Sequence, residues 1–260
     1  MGEAKRRRAM REGVPQIPPD SRAVIATAIH KAVSAVTAYY GADCVLYAQV
    51  GAEVLRRSGL DAIAVVGTAS WRVGPGDGDI VSHLTGLLAP GAKAGTPLGF
   101  DDVQSGVFHA WVQAGDDVID FSTATLRHKA KLLDDMDGGK TQVDWAPDFV
   151  WMPRDRVMTH LAVAQSPRGG AAAYVRDARM EGVVFEGIDP EDVAYLADVA
   201  GKIIQSIAAG QDLRVIGVSG GGELQDVAIA KFMSRTKGLS TIEPSDIVDL
   251  SGGGRPRERF

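Results

Sequence analysis

The sequence predicts an α+β fold, and three observations carry that expectation. Apolar residues recur at helical spacing between residues 21 and 58, strand patterns with a hairpin dominate from 61 to 153, and helical patterns return after about Ser166. A chain of 260 residues with 45% hydrophobic side chains buries a substantial core, as one large domain or one domain with a smaller companion.

The elements follow in order. After the Pro-rich "VPQIPPD", Ile25, Ile29, Val33, Val36 and Tyr40 predict a helix with Ser21 as its N-cap, ended by Gly41. A second helix fits residues 44 to 58, with Tyr47, Val50, Gly51, Val54 and Leu55 on one side and Gly59 just past its end. Cys44 therefore stands at a helix start. "DAIAVVGTASWRVG" reads as a strand, and residues 74 to 99 as a long Gly/Pro-punctuated loop around a short apolar run. "GVFHAWVQAGDDVIDFS" reads as a β-hairpin turning near "AGDD", with Asp116 and Asp117 as turn residues. Ser122 is expected to cap a helix reaching about Met136, and "FVWMP" to be a strand. "SPRGGAAA" reads as a linker to helices near 172–181, 189–209 and 222–237, with the strand "LRVIGVS" between the last two. The expected organisation is a flexible basic tail over 1–20, a catalytic domain over 21–165, a mainly helical region over 166–250 and a disordered tail over 251–260.

The net charge of −5 is unevenly spread. Residues 1 to 12 hold five Lys/Arg against two Glu and residues 251 to 260 three Arg against one Glu, leaving 20 basic and 30 acidic residues between them. Such an acidic body argues against a nucleic-acid partner, and short basic ends read as solvated tails. No apolar run is long enough to cross a bilayer, and "MGEAKRRRAMREG" carries charges where a secretory leader is apolar. These readings predict a cytoplasmic protein with no membrane partner.

One cysteine makes no internal disulfide and, without a cysteine partner, no thiolate zinc site. A lone cysteine is often simply core, so function requires something that lowers its pKa. A helix N-terminus does this, and so does an adjacent imidazole held in one tautomer by a carboxylate. Of the five histidines, His30, His83, His109, His128 and His160, His109 lies in a hairpin strand with Asp120 in the opposing strand. The two-residue connection "AG" sets the pair directly opposite, the four-residue connection "AGDD" sets them diagonally, and both leave them on one face. An odd-length turn separates them.

The stretches "ADCVLYAQVGAEVLRRSGLDAIAVVG" and "FHAWVQAGDDVIDFS" resemble the transglutaminase-like branch of the papain-like cysteine enzymes, a group that includes arylamine N-acetyltransferases and bacterial cysteine peptidases. The resemblance covers roughly residues 21 to 155. It implies a Cys-bearing helix packed on an antiparallel sheet bearing His and Asp. It also implies that Cys44 is the nucleophile, His109 the general base and acid, and Asp120 the residue orienting the histidine. Members of the group act through an acyl-thioenzyme, so the implied substrate is a peptide, a protein or a small amide or thioester, and no cofactor is implied. The Cys44 N–H is a reasonable oxyanion donor.

Other readings are weaker. His83, in the long loop, is a candidate gate, and Trp111 shares the His109 face. Gly217-Val218-Ser219-Gly220-Gly221 fits a nucleophile elbow, yet no histidine follows His160, as the elbow's order of residues requires. No histidine pair is spaced to share a helix face, and "DDMD" and "DGD" lack a calcium-loop pattern. Hydrolysis is favoured over acyl transfer because nothing marks a coenzyme A site. The rival from another class is a binding or regulatory module with Cys44 inert.

Overall fold

The computed structural model describes residues 17–36, 44–84, 108–186 and 188–211, together with three short strands beyond them. Helix α1 (Pro19–Ser34) starts at a proline, whose fixed φ suits the first turn and whose missing N–H has no partner to lose there. Ser21, expected as the cap, lies inside it, and Tyr40 lies outside the described residues. Helix α2 (Cys44–Arg57) runs as the periodicity predicts. Gly59, at φ +85°, ends it. The Gly59 N–H bonds Arg56 O at 2.9 Å and the Leu60 N–H bonds Leu55 O at 3.0 Å, a Schellman closure.

Strand β1 (Ala62–Arg72) is the spine of the main sheet. It is joined by β2 (Ile80–His83), β3 (His109–Ala114), β4 (Asp117–Asp120), β5 (Val150–Pro153) and β6 (Ala172–Arg176), all antiparallel to their neighbours. Gly67 pairs with both His109 and Arg176, and Ala69 with both His83 and Tyr174. Strand β6 therefore takes one edge of β1, while β2 and β3 lie end to end along the other. His109 is the first strand residue after that break.

The hairpin takes the diagonal register, with Val112 opposite Ile119 and Gln113 opposite Val118. Its turn is Gly115, at φ +55°, and Asp116, one place along from the expected "AG"; Ala114 pairs with Asp117 inside the expected four-residue connection and so keeps that connection's register. Asp117, expected in the turn, instead begins β4 and accepts a hydrogen bond from Trp151 Nε1 at 2.9 Å.

Helix α3 (Leu126–Asp137) follows a 3-10 turn at Thr123–Thr125. Ser122 does not cap either one; its hydroxyl is taken by Asp120. After the short α4 (His160–Ala164), the segment read as a linker is bonded to the sheet. Gly170 N–H reaches Arg72 O, and Arg72 N–H reaches Ala171 O, both at 2.9 Å. The helix expected over 172–181 is corrected: residues 172–176 form β6, and α5 (Ala178–Phe185) begins only after Asp177 caps it. Pairing with β1 overrides the helix propensity of an alanine-rich stretch. Helix α6 (Pro190–Ala208) then packs with α1 and α2 in one core.

Strands β7 (Arg214–Val218), β8 (Leu224–Gln225) and β9 (Ile247–Asp249) form a second, three-stranded sheet. Leu224 and Gln225 are strand where a helix over 222–237 was expected; the rest of that helix, Ser219 of the elbow, residues 85–99 of the long loop, residues 1–16 of the expected N-terminal tail and the whole of the expected C-terminal tail lie outside the described residues, while Pro19 and Asp20, expected in the N-terminal tail, are the first turn of α1.

One face of the main sheet packs Val112, Ile119 and Phe121 against α1, α2 and α6. The other gathers Val65, Trp71, Trp111, Val118 and Tyr174 against Leu126 and Ala130 of α3. Gly51 sets how closely α2 lies on the hairpin, because a Cβ there would stand 2.5 Å from Phe121 Cδ2 and 3.3 Å from Val112 Cγ2. Gly51→Ala is expected to lower stability by about 1–2 kcal/mol net, overpacking outweighing the gain in helix propensity. Urea unfolding checks this, and an unchanged midpoint would mean that helix and hairpin part without strain.

Candidate active site

Cys44, His109 and Asp120 come from three elements that the fold brings together. Cys44 opens α2, a helix with no acidic residue in its first turn, so the positive end of the helix acts on the thiol. The cysteine is buried against Val66, Ala110 and Met180. His109 and Asp120 follow from the diagonal register, and His109 Nε2 lies 2.8 Å from Asp120 Oδ2 with both side chains fully enclosed.

The Asp120 carboxylate is saturated. Oδ1 accepts from the Ser122 N–H and hydroxyl, both at 2.9 Å, and Oδ2 from His109 and from the Tyr174 hydroxyl at 3.0 Å. Burial raises the Asp120 pKa, but the charges of His109 and Lys129 and these donors outweigh it and hold the group far below the usual carboxylate range. An ionised carboxylate only accepts, so Nε2 of His109 carries the hydrogen. Nδ1 is then the basic nitrogen of the neutral ring. It is buried and, among the described residues, makes no hydrogen bond of ordinary geometry.

Cys44 is coupled to the His109 side chain. Burial pushes the thiol up, but hydrogen bonding and charge from His109, the charge of Lys129 and the Ala110 N–H prevail, leaving the thiol below its ordinary value. Burial likewise pushes His109 down, while Asp120 and Cys44 overcome it against the opposing charge of Lys129 and leave the imidazole raised. A lowered thiol beside a raised imidazole favours the thiolate–imidazolium pair.

Four neighbours escaped the sequence reading of the site. The Tyr174 hydroxyl accepts from Trp71 Nε1 at 2.8 Å and donates to Asp120. Burial and the Asp120 charge hold its own pKa well above the usual phenol value, so it stays a donor. Trp71 sets its ring edge-on to His109, with centroids 4.7 Å apart. Ser122 braces the carboxylate, and Lys129 is buried beside it. Lys129 was legible as a lysine on the apolar 126/130/133 stripe of α3; Trp71 and Tyr174 depend on the distant pairing of Ala69 with Tyr174.

His83, expected in the loop as a gate, ends β2 instead, its ring 5.6 Å from that of His109. Its Nδ1 lies 2.9 Å from the Phe108 carbonyl, which cannot donate, so Nδ1 carries the hydrogen and ties the two ends of the 84–108 excursion. Burial, with the charges of Lys129 and His109, holds it well below its ordinary pKa and neutral. His160 is elsewhere, bridging the Thr68 and Ser70 hydroxyls at 2.9 and 2.8 Å. Trp111 stacks on His109 at 6.3 Å and, with Tyr174, walls a cavity of about 240 Å³ that Gln113, Arg154 and Met158 also line. Among the described residues no cluster of His, Cys, Asp or Glu is arranged to hold a metal ion, and no helix is long and apolar enough to cross a membrane.

No family model matches the chain, and no curated protein matches it. It is similar to a solved structure described as the crystal structure of genomics APC5867, at 16% identity and a TM-score of 0.50, over 80% of this chain and 90% of the other. That likeness bears on fold alone: the chain has an α+β fold built on a curled antiparallel sheet.

Proposed function

We propose that this protein is a thiol-dependent hydrolase of amide or peptide bonds on a transglutaminase-like, papain-like fold, with Cys44, His109 and Asp120 as its triad. The observation that carries this reading is the tautomer lock. Asp120 holds the proton on Nε2 and leaves a buried Nδ1, without a nitrogen or oxygen partner among the described residues, for the lowered thiol at the start of α2.

In this reading Cys44 gives its proton to His109 Nδ1, and the thiolate sulfur forms a bond to the substrate carbonyl carbon, whose π electrons move to oxygen. The oxyanion re-forms the carbonyl as the C–N bond breaks, and the Nδ1 proton goes to the departing nitrogen. Water then adds to the thioester, giving its proton to Nδ1, and the C–S bond breaks to release a carboxylic acid and the thiolate. An amine in place of water makes the same enzyme an acyltransferase.

The test is a stopped-flow assay with p-nitrophenyl acetate, an activated acyl donor. The expected result is a burst of p-nitrophenol matching the enzyme concentration, with an acetyl group on Cys44 by mass spectrometry and no burst from Cys44→Ala. Equal release from both proteins would favour a binding module with an inert cysteine.

A further inference from the structure

A lysine ammonium is almost never enclosed without a purpose, because burial removes its hydration and few groups replace it. Lys129 is 4% exposed. Its Nζ lies 3.4 Å from Ser122 Oγ, beyond a strong hydrogen bond, and 5.4 Å from the centroid of the Trp71 ring, a cation–π arrangement. Both contacts lead into the candidate site. Ser122 hands its hydroxyl hydrogen and its N–H to Asp120 Oδ1, and Trp71 is the ring against which both His109 and His83 set their own rings.

We infer that Lys129 is a positioning residue of this site: a buried cation, held over Trp71 beside Ser122, that offsets the Asp120 carboxylate and sets the pH interval in which Cys44 and His109 exist as a charged pair. The inference rests on the triad reading and deepens it. Asp120 does two opposing things to that pair, since its negative charge stabilises the imidazolium and repels the thiolate. A cation beside Asp120 cancels the repulsion without touching the hydrogen bond that fixes the His109 tautomer.

The titratable groups on neighbouring elements that feel the Lys129 charge are Asp120 on β4, His109 on β3, His83 on β2 and Cys44 on α2, and Tyr174 on β6 bonds Asp120. His83 is held neutral and Tyr174 protonated, which leaves Asp120, His109 and Cys44 as the charges it acts on. Asp79, the other buried carboxylate among the described residues, is taken up by the Gly76 N–H at 2.6 Å and the Gln142 N–H at 2.8 Å. On α3 itself, Arg127 bonds the Val143 carbonyl and Lys131 pairs with Asp135, both away from the site at exposed positions. His128, beside Lys129 on the same helix, is half-buried.

A cation lowers both transitions of the pair, favouring loss of the thiol proton and of the imidazolium proton alike. Removing it therefore moves both to higher pH, a parallel displacement that damage to packing does not produce. The experiment is the iodoacetamide alkylation rate of Cys44 against pH in the full chain, for wild type, Lys129→Met and Lys129→Arg. Methionine keeps the length and apolar stem without the charge; where it does not fold, Lys129→Gln takes its place. The expected result is a wild-type profile with a low thiol inflection and a second inflection from His109. Both should move up by roughly one pH unit in the neutral variant, with roughly tenfold slower alkylation below the first inflection, and both should return toward wild type in Lys129→Arg. Inflections that stay in place, with only the plateau rate or the thermal midpoint lowered, would overturn the role of Lys129 while leaving the triad intact. A wild-type profile with one ordinary thiol inflection would instead remove the triad, and this inference with it.

Discussion

Asp120→Ala is expected to cost about 3–5 kcal/mol of stability, the range for removing one partner from a buried, hydrogen-bonded charge set. The truncation strands four donors at once: the Ser122 N–H and hydroxyl, the Tyr174 hydroxyl and His109 Nε2. It also leaves Lys129 enclosed without the carboxylate that balances it.

Asp120→Asn separates packing from chemistry. An amide with its oxygen toward Ser122 aims its N–H at His109 Nε2, which forces the ring hydrogen to Nδ1, where it blocks proton transfer from the thiol. Flipping the amide restores the histidine contact but sets N–H against the Ser122 N–H. The Asn variant is therefore expected to lose less stability than Asp120→Ala yet to show at least tenfold slower Cys44 alkylation at neutral pH. The sign of the pH dependence follows from the depressed folded-state pKa of Asp120. Its contribution is complete above the unfolded carboxylate value near 3.9 and declines as pH falls below it toward the folded value. The stability gap between wild type and Asp120→Asn should thus narrow on acidification below about pH 4. Denaturant titrations at several pH values measure this, and a gap constant down to pH 2 would contradict an ionised Asp120.

His109→Ala carries the second large effect. The mutation removes the group whose hydrogen bond and charge bring the thiol down, leaving burial to push it up against Lys129, the Ala110 N–H and the helix end. The thiolate fraction at neutral pH should fall to the few per cent of an ordinary cysteine or less, a loss of roughly ten- to thirty-fold in alkylation rate. Truncation also opens a cavity beneath Trp71 and Trp111, so unfolding is expected about 2–4 kcal/mol more easily. The charged pair has its own pH signature. His109 is raised, so its contribution to stability is present below the unfolded value near 6.5 and lost as pH rises through the folded one; Cys44 is lowered, so its contribution is present at high pH and lost as pH falls through its folded value.

The parts of this site that were legible in the sequence are those built from local pattern. The helix opened by Cys44 and ended by Gly59 is written in a 3.6-residue period and a glycine, and the hairpin in alternation around "AGDD". Register was left between two even connections, and the choice fell to the Ala114–Asp117 pair and the positive φ of Gly115. What local pattern does not hold is pairing at a distance. Tyr174 reaches Asp120 because β6 joins the far edge of β1, and "AAAYVRDARM" by itself reads as a helix. His83 and His109 become neighbours because β2 and β3 share one edge of β1 end to end, a relation fixed by the partner strand. Lys129 is the exception. Its place on an apolar helical stripe was in the sequence, and its meaning emerged only with Ser122 and Trp71 beside it.

The central claim is that Cys44 and His109 form a charged pair, and the most direct test is the rate of Cys44 alkylation by iodoacetamide against pH in the native wild-type protein. The pair predicts an inflection well below the ordinary thiol value near 8.5, lost in His109→Ala. A thiol that stays unreactive at every pH until the protein unfolds, or one that titrates at its ordinary value in both proteins, would contradict it.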